Sequence, residues 1–376
     1  MRITDFALER YFAQYEFTTP HILCSSDIQG MAMHDLLALA DDDARQRWQS
    51  LTLGYTETAG LPILRAEIAS MYHGITADDV ITFSGAEEAV YIAANVLLGP
   101  GEHLITTWPG YQSLYEVGRA TGAEVTLLEL RPEDKWKLDI EALRRAVRPN
   151  TKMILLNVPH NPTGATLTHD EWAEVIGIAE AAGAYLFADE VYRLLEYNPA
   201  DKLPAACERM VRGLSLGVMS KAFGLAGLRI GWLIVREPAL RAKIMAYKDY
   251  TTICNSAPSE ILALVALRAR QAMLARSRSI VLRNLQLFHE LCIARPQQIR
   301  MVAPQAGSVA FPELLGSMPI ATAATVLQKD YGVLILPATV YGYPGNFFRV
   351  GFGKEDFATG LAKLALFLDA QAGVSQ

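Results

Sequence analysis

From about residue 60 onward, short apolar runs alternate with amphipathic stretches: VITF near Val80, HLITT near His103, EVTLLEL near Glu124, KMILLN near Lys152, AYLFA near Ala184, LSLGVM near Leu214 and GWLIV near Gly231. Parallel strands cannot be joined by a tight turn and need crossover connections, usually helices. Apolar runs of strand length separated by helix-like segments therefore predict an α/β lobe over residues 45–265, with a large, mostly parallel sheet flanked by helices.

Beyond it the pattern changes. Residues 256 to 290 read as one long helix or two, followed by MVAPQAGSVAFPE, a helix near Ala321, the run GVLILP, the strand-like FFRVGF and a closing amphipathic helix. This predicts a smaller α+β lobe over residues 266–376, joined by an N-terminal segment, residues 1–44. A chain of 376 residues exceeds the reach of one core, which favours two lobes. No repeat, low-complexity tract or Ser/Gly linker separates them, so they are expected to pack together around a ligand cleft.

Composition narrows the partners. With 34 Lys+Arg against 40 Asp+Glu, a net charge of -6, there is no broad footprint for nucleic acid or anionic membrane, and a small-molecule partner fits better. The densest basic patch, Arg268, Arg270, Arg276, Arg278 and Arg283, sits in a helix-like segment and reads as a solvated face. The longest uncharged run, YGVLILPATVYGYPGNFF, is broken by glycines and prolines and reads as a buried strand with turns rather than a membrane span. Cys24, Cys207, Cys254 and Cys292 are spread without a C-x-x-C pair, so neither a metal site nor a disulfide framework is expected. Asp5 and Glu9 interrupt the stretch where an export signal would need an apolar core. Reduced thiols in the cytoplasm follow as the expectation.

Four short stretches carry chemistry. SGAEEAV, from Ser84, follows an apolar strand and opens a helix, where free backbone N–H groups make a phosphate cradle; it is also an ordinary helix start. NVPHNPTG, from Asn157, follows another strand and sets a carboxamide at a strand's C-terminal end, where α/β folds bind ligands; it also reads as a tight loop. FADEVYRLL places Asp189 and Tyr192 just past a strand, suited to meeting a buried cation or to capping a helix. MSKAFGLAGLRIGW sets Lys221 and Arg229 among glycines and apolar residues. No nucleotide motif competes: GFGKED lacks the Walker spacing and GLAGLRIG is not G-x-G-x-x-G.

In this order, S-K-x-F-G-L-x-G-x-R-x-G with NPTG and D-E-x-Y resembles the class I/II aminotransferases, enzymes of pyridoxal-phosphate fold type I, from about Tyr55 to Arg349. The resemblance implies that Lys221 forms the Schiff base with pyridoxal 5'-phosphate. A lysine with apolar surroundings and a cationic neighbour has a lowered pKa, and so can attack an aldehyde and later shuttle a proton. It further implies that Arg229, Ser84, Gly85, Ala86 and Ser220 bind the phosphate, and that Asp189 pairs with the pyridine nitrogen. Asn161 and Tyr192 would bond the ring oxygen, and Tyr111 would stack on the ring. Tyr55 would reach the phosphate of a second subunit in a homodimer. Arg349 would grip the substrate carboxylate, a role that suits its planar fork. Two departures stand out: Ala86 has no hydroxyl or amide for the phosphate, and SSDIQGM lacks the commoner glycine-proline turn, with Gly30 in its place as a substrate contact. His160 falls outside the catalytic set.

The implied reaction moves an amino group between an L-amino acid and a 2-oxo acid. The same residues would also serve elimination, decarboxylation or ring formation of the capreomycidine synthase kind, to which the N-terminal half bears some likeness. A regulatory module is the remote alternative, and it would need a DNA-binding domain that does not fit before Tyr55. No second arginine stands out for a dicarboxylate side chain, which favours neutral or aromatic substrates over aspartate.

Overall fold

The computed structural model describes residues 3–374; the outermost ends of the two expected terminal segments, residues 1–2 and 375–376, lie outside the described residues. A short first strand, β1 (His21–Ile22), is followed by seven that form one sheet: β2 (Val80–Phe83), β3 (His103–Trp108), β4 (Glu124–Glu129), β5 (Thr151–Asn157), β6 (Tyr185–Asp189), β7 (Gly213–Val218) and β8 (Gly231–Ile234). These are the seven apolar runs, in the spatial order β2-β8-β7-β6-β5-β3-β4.

Helices cover both faces, and alternate residues divide between two apolar layers. Met153, Leu155 and Phe187 join one core, while Ile154, Leu156, Leu186 and Ala188 join the other. This period of two, with both faces buried, is why the strands read as continuous apolar runs. Local signals end the helices between them: Thr168 and Glu171 form a reciprocal capping box at the start of His169–Ala181, which satisfies two otherwise orphaned N–H groups.

Strand β8 is antiparallel to both β7 and β2, whereas the other pairs are parallel. Six strands therefore end at one edge of the sheet, and β8 begins there. Gly231, its first residue, lies in register with Phe83 of β2 and Val218 of β7. The segments after β2 and β7 and before β8 are thus brought side by side.

The C-terminal part includes the consecutive helices Ala257–Arg268 and Arg270–Ala294, the closing helix Phe357–Val374 and a small sheet of Val309–Ala310, Leu336–Pro337 and Phe348–Gly351. The last is central in its three-stranded sheet, and the uncharged run resolves into strands and a turn around Gly342. At the other end of the chain, β1 pairs in parallel with Val333–Leu334. Among the described residues no helix is long and apolar enough to cross a membrane.

The basic patch departs from expectation. Rather than a merely solvated face, Arg268 pairs with Asp41 and Asp43, Arg270 with Glu67, and Arg276 with Glu355 and the Gln29 carbonyl. Arg278 donates to the Tyr197 carbonyl. Helix periodicity marked the side these arginines occupy but not the acidic segments that fold back onto it.

Candidate active site

A cavity of about 390 Å³ opens along the sheet edge where six strands end. Register dictates who meets there. Asn157 ends β5 opposite Asp189, which ends β6; Ser220 and Lys221 follow β7, and Arg229 precedes β8. Ala86 opens the helix after β2, and Tyr111 follows β3. Ala86, Tyr111, Asn161, Asp189, Tyr192, Ser220, Lys221, Arg229 and Arg349 all line the cavity, although the first and the last stand far apart in the sequence.

Lys221 donates to Ser26 Oγ at 2.8 Å and lies 5.7 Å from the centre of the Tyr192 ring. Burial, offset in part by Asp27, lowers its pKa to about 8. Asp189 is 5% exposed and accepts one backbone N–H, from Val191; burial pushes its carboxyl up to about 7. Both groups are held near neutrality because losing water penalises their charged forms.

Asn157 braces the next loop: its carbonyl accepts from the Asn161 N–H at 2.6 Å, and its amide donates to the Asp189 carbonyl at 3.0 Å. Asn161 can then present its own carbonyl to Arg349 Nη1, 3.2 Å away. Arg349, 1% exposed, also donates to the Cys24 carbonyl at 3.0 Å and packs 5.6 Å from the Phe12 ring. One arginine thus joins the small C-terminal sheet, the large sheet's loop and the N-terminal helix Ala7–Tyr15.

That helix roofs the cavity. Leu8, Glu9, Phe12 and Glu16 face into it, one stripe of a 3.6-residue repeat. Glu9 accepts the Tyr111 hydroxyl at 3.0 Å, and Phe6 packs 5.0 Å from the same ring. The floor is tight in a different way. A Cβ on Gly351 would overlap the Ser25 carbonyl, and one on Gly353 would lie 2.9 Å from the Asp27 carbonyl carbon.

The residues fit pyridoxal phosphate on three counts. Tyr192 is 1% exposed and its hydroxyl has no hydrogen-bond partner, so a ligand acceptor would satisfy it. Asp189 is a buried carboxyl suited to a pyridine N–H. At the far end, Gly85 has φ 96° and ψ 173° and no side chain to cap the twelve-residue helix Ala86–Leu97, which leaves a positive helix end for an anion. A Cβ there would lie 3.1 Å from Arg229 Cζ, so the missing side chain makes room for the guanidinium. Arg229 itself has φ 53°, a left-handed conformation costing about 1–2 kcal/mol, concentrated where a phosphate would sit.

Other expected residues fall elsewhere. Ser84 and Gly85 border the cavity without lining it, and the Ser84 N–H donates to Glu88. Gly30 is exposed and lies outside the wall; its loop lines the cavity through Ser25, Ser26 and Asp27. Tyr55 is 91% exposed on a loop away from the cavity of its own chain. His160 faces Thr163 at 2.9 Å rather than the cavity. Sequence reasoning missed Glu9, Phe12, Glu16 and Glu87. The helical spacing of the first three was a usable signal; Glu87, pushed up to about 7 by burial, was in plain view inside SGAEEAV.

Residues 21–361 match the family described as aminotransferase class I and II. Capreomycidine synthase of Streptomyces vinaceus is 29% identical over 311 residues, 82% of this chain and 79% of that protein. Aspartate aminotransferase of Streptomyces avermitilis is 25% identical over 332 residues, 84% and 81% of the two chains. A PLP-dependent aminotransferase from Streptococcus suis, solved by crystallography, superposes with a TM-score of 0.93 at 30% identity over 99% of each chain.

Proposed function

Since the chain belongs to the class I and II aminotransferases, we propose that Lys221, Asp189, Tyr192, Asn161 and Arg349 form the catalytic centre of a pyridoxal-phosphate-dependent enzyme that moves an amino group between an L-amino acid and a 2-oxo acid. The observation that carries the assignment is the convergence of these five on one cavity, with its lysine held at about 8 by burial.

When bound, pyridoxal phosphate supplies an electrophilic aldehyde and an electron sink. The chain supplies the rest. Lys221 anchors the aldehyde and serves as the base that takes the proton from the substrate Cα. At pH 7.5 a pKa of about 8 leaves about a quarter of the amine neutral, against about one part in a thousand for an ordinary lysine. Asp189 holds a proton on the pyridine nitrogen by a charge-assisted bond, worth roughly 1.5–3 kcal/mol. Asn161 and Tyr192 orient the ring through its oxygen, and Tyr111 covers its face. Arg229, Ser220, Ser84 and the N–H groups at Gly85 and Ala86 hold the phosphate. Arg349 fixes the α-carboxylate and thereby sets the angle at which Cα meets Lys221.

The exposed Tyr55, with Leu53 and Tyr250 also exposed, supports a homodimer in which Tyr55 reaches the partner's phosphate. The four free cysteines accord with a reduced, cytoplasmic setting. A second reading, cyclisation or elimination from the same residues, draws on the 29% identity to capreomycidine synthase.

The test is direct. Purified protein loaded with cofactor is reduced with borohydride and mapped by mass; the adduct belongs on Lys221 and disappears in Lys221→Ala. An amino-acid panel with and without a 2-oxo acid then separates the two readings: transamination requires the acceptor for turnover, whereas cyclisation or elimination proceeds without one. An unmodified Lys221 in the reduced holoenzyme refutes the catalytic assignment.

A further inference from the structure

The cavity holds more charge than the reaction above employs. Lys221, Arg229 and Arg349 line it, against Glu9, Glu16, Asp27, Glu87 and Asp189. The three cations have work with aldehyde, phosphate and α-carboxylate, and Asp189 faces the pyridine. Asp27 is paired with Lys354 at 2.8 Å, and Glu87, beside Ala86 at the phosphate end, accepts from Ser113 at 3.0 Å. Two carboxylates remain, Glu9 and Glu16, both on the roof.

We propose that the substrate carries a cationic side chain, a guanidinium or an ammonium on a methylene stem, bound between Glu9 and Glu16 of the N-terminal helix. This rests on the aminotransferase reading and names the substrate class of that site.

The two glutamates are seven residues apart, about 10 Å along a helix, and share a face with Leu8 and Phe12. Carboxylates flanking an apolar strip match an amphipathic side chain, whose stem packs on carbon while its charged head meets the acid. Orientation follows from the other walls. With the α-carboxylate on Arg349, packed beneath Phe12, and Cα at Lys221, the roof is the wall left for the side chain. The cavity is built for a polar ligand as a whole: Tyr192, which lines it from beyond β6, keeps a buried hydroxyl without a partner.

The Glu16 N–H donates to the Phe12 carbonyl at 2.8 Å, whereas its carboxylate has neither a hydrogen bond nor an ion pair among the described residues. Burial, and then the charge of Asp27, hold its carboxyl above the usual range, with Lys354 and Arg349 offsetting only part of that rise. Glu9 spends one oxygen on Tyr111 and keeps other lone pairs free. Within this chain an anionic side chain would meet two like charges and no arginine beyond Arg229 and Arg349, and a neutral one would leave the Glu16 carboxylate without a direct partner. The sequence expectation of neutral or aromatic substrates came from counting arginines and did not weigh the acids of the N-terminal helix; the present proposal departs from it on that ground.

The test follows conversion of the holoenzyme's cofactor to its amine form with isosteric pairs: L-arginine against L-citrulline, L-lysine against L-norleucine, and L-glutamate as the anion. The expected kcat/KM favours each cation by about tenfold or more, in line with charge-assisted hydrogen bonds, with glutamate poorest. Glu16→Gln and Glu9→Gln should each lower the ratio of kcat/KM for arginine over citrulline, whatever they do to the overall rate, and added salt should narrow the gap. If citrulline, norleucine or glutamate react as well as the cations, the substrate class is refuted while transamination stands. If no amino acid converts the cofactor, the transamination reading fails, and binding decides the present point. Lys221→Ala holoenzyme titrated calorimetrically should still prefer arginine over citrulline by about tenfold, and equal affinity overturns the proposal.

Discussion

Replacing Gly85 by alanine separates two roles that a single residue plays. Its backbone, φ 96° and ψ 173°, lies in a region essentially reserved for glycine, where a side chain costs about 1–3 kcal/mol. The new Cβ would also sit 3.1 Å from Arg229 Cζ, inside the 3.5–4.0 Å optimum for carbon contacts. Arg229 Nη2 would lie closer still and overlap it, so the guanidinium would have to retreat by roughly an ångström. Because it is the end of a flexible side chain, the fold can accommodate that movement, and the loss in thermal stability should stay at a few degrees. On the proposed assignment cofactor binding cannot, since the displaced group is the one set to meet the phosphate. Losing one charge-assisted bond, about 1.5–3 kcal/mol, should weaken the affinity of the apoenzyme for pyridoxal phosphate by roughly 10- to 150-fold. The assay is a fluorescence or absorbance titration of cofactor-free protein beside a thermal melt, with Gly177→Ala as control, where an added Cβ meets nothing within 4 Å. A Gly85→Ala protein that binds the cofactor within twofold of wild type would refute the placement of the phosphate against Arg229.

Other perturbations test the electrostatics. In the cofactor-free protein Asp189 is raised from 3.8 to about 7, so the unfolded chain releases this proton earlier than the folded one and the carboxyl erodes stability as pH rises from about 4 to 7. Cofactor-free Asp189→Asn should therefore melt above wild type at pH 8, with the difference closing toward pH 4, while the holoenzyme loses activity by orders of magnitude; a difference that widens on acidification contradicts the sign. Glu87, at about 7, is ionised beside the phosphate site at high pH. Glu87→Gln should bind pyridoxal phosphate several-fold more tightly at pH 8.5 and equally at pH 6, as read by the same titration, and unchanged affinity at pH 8.5 would remove Glu87 from the phosphate's field.

The strands were legible because a sheet buried on both faces leaves uninterrupted apolar runs, and the residues that follow those runs land at one edge. Lys221, Asp189 and Asn161 could therefore be picked out of short motifs, while Arg349, inside a strand of the small sheet, was singled out by the family resemblance alone. The direction of β8 could not, because an apolar run of four residues carries no sign; yet that reversal is what brings Arg229 beside Gly85. The roof was equally hidden. Glu9 meets Tyr111 across 102 positions and Arg349 meets Cys24 across 325, and no local pattern encodes such pairings. Gly30 was singled out as standing in place of the family's commoner glycine-proline turn, whereas the wall-forming residues of that loop, Ser25 to Asp27, are positioned by the backbone packed behind them.

That backbone has a consequence for how such a pocket can diversify. Where Gly351 and Gly353 press against the carbonyls of Ser25 and Asp27, any side chain is an obstruction, so this margin of the pocket is closed to innovation. The opposite margin is a single short helix whose inward residues answer mainly to the ligand. Directed evolution toward new amino acids should harvest its useful changes at positions 8, 9, 12 and 16, and libraries aimed at 351 and 353 should return mostly insoluble protein.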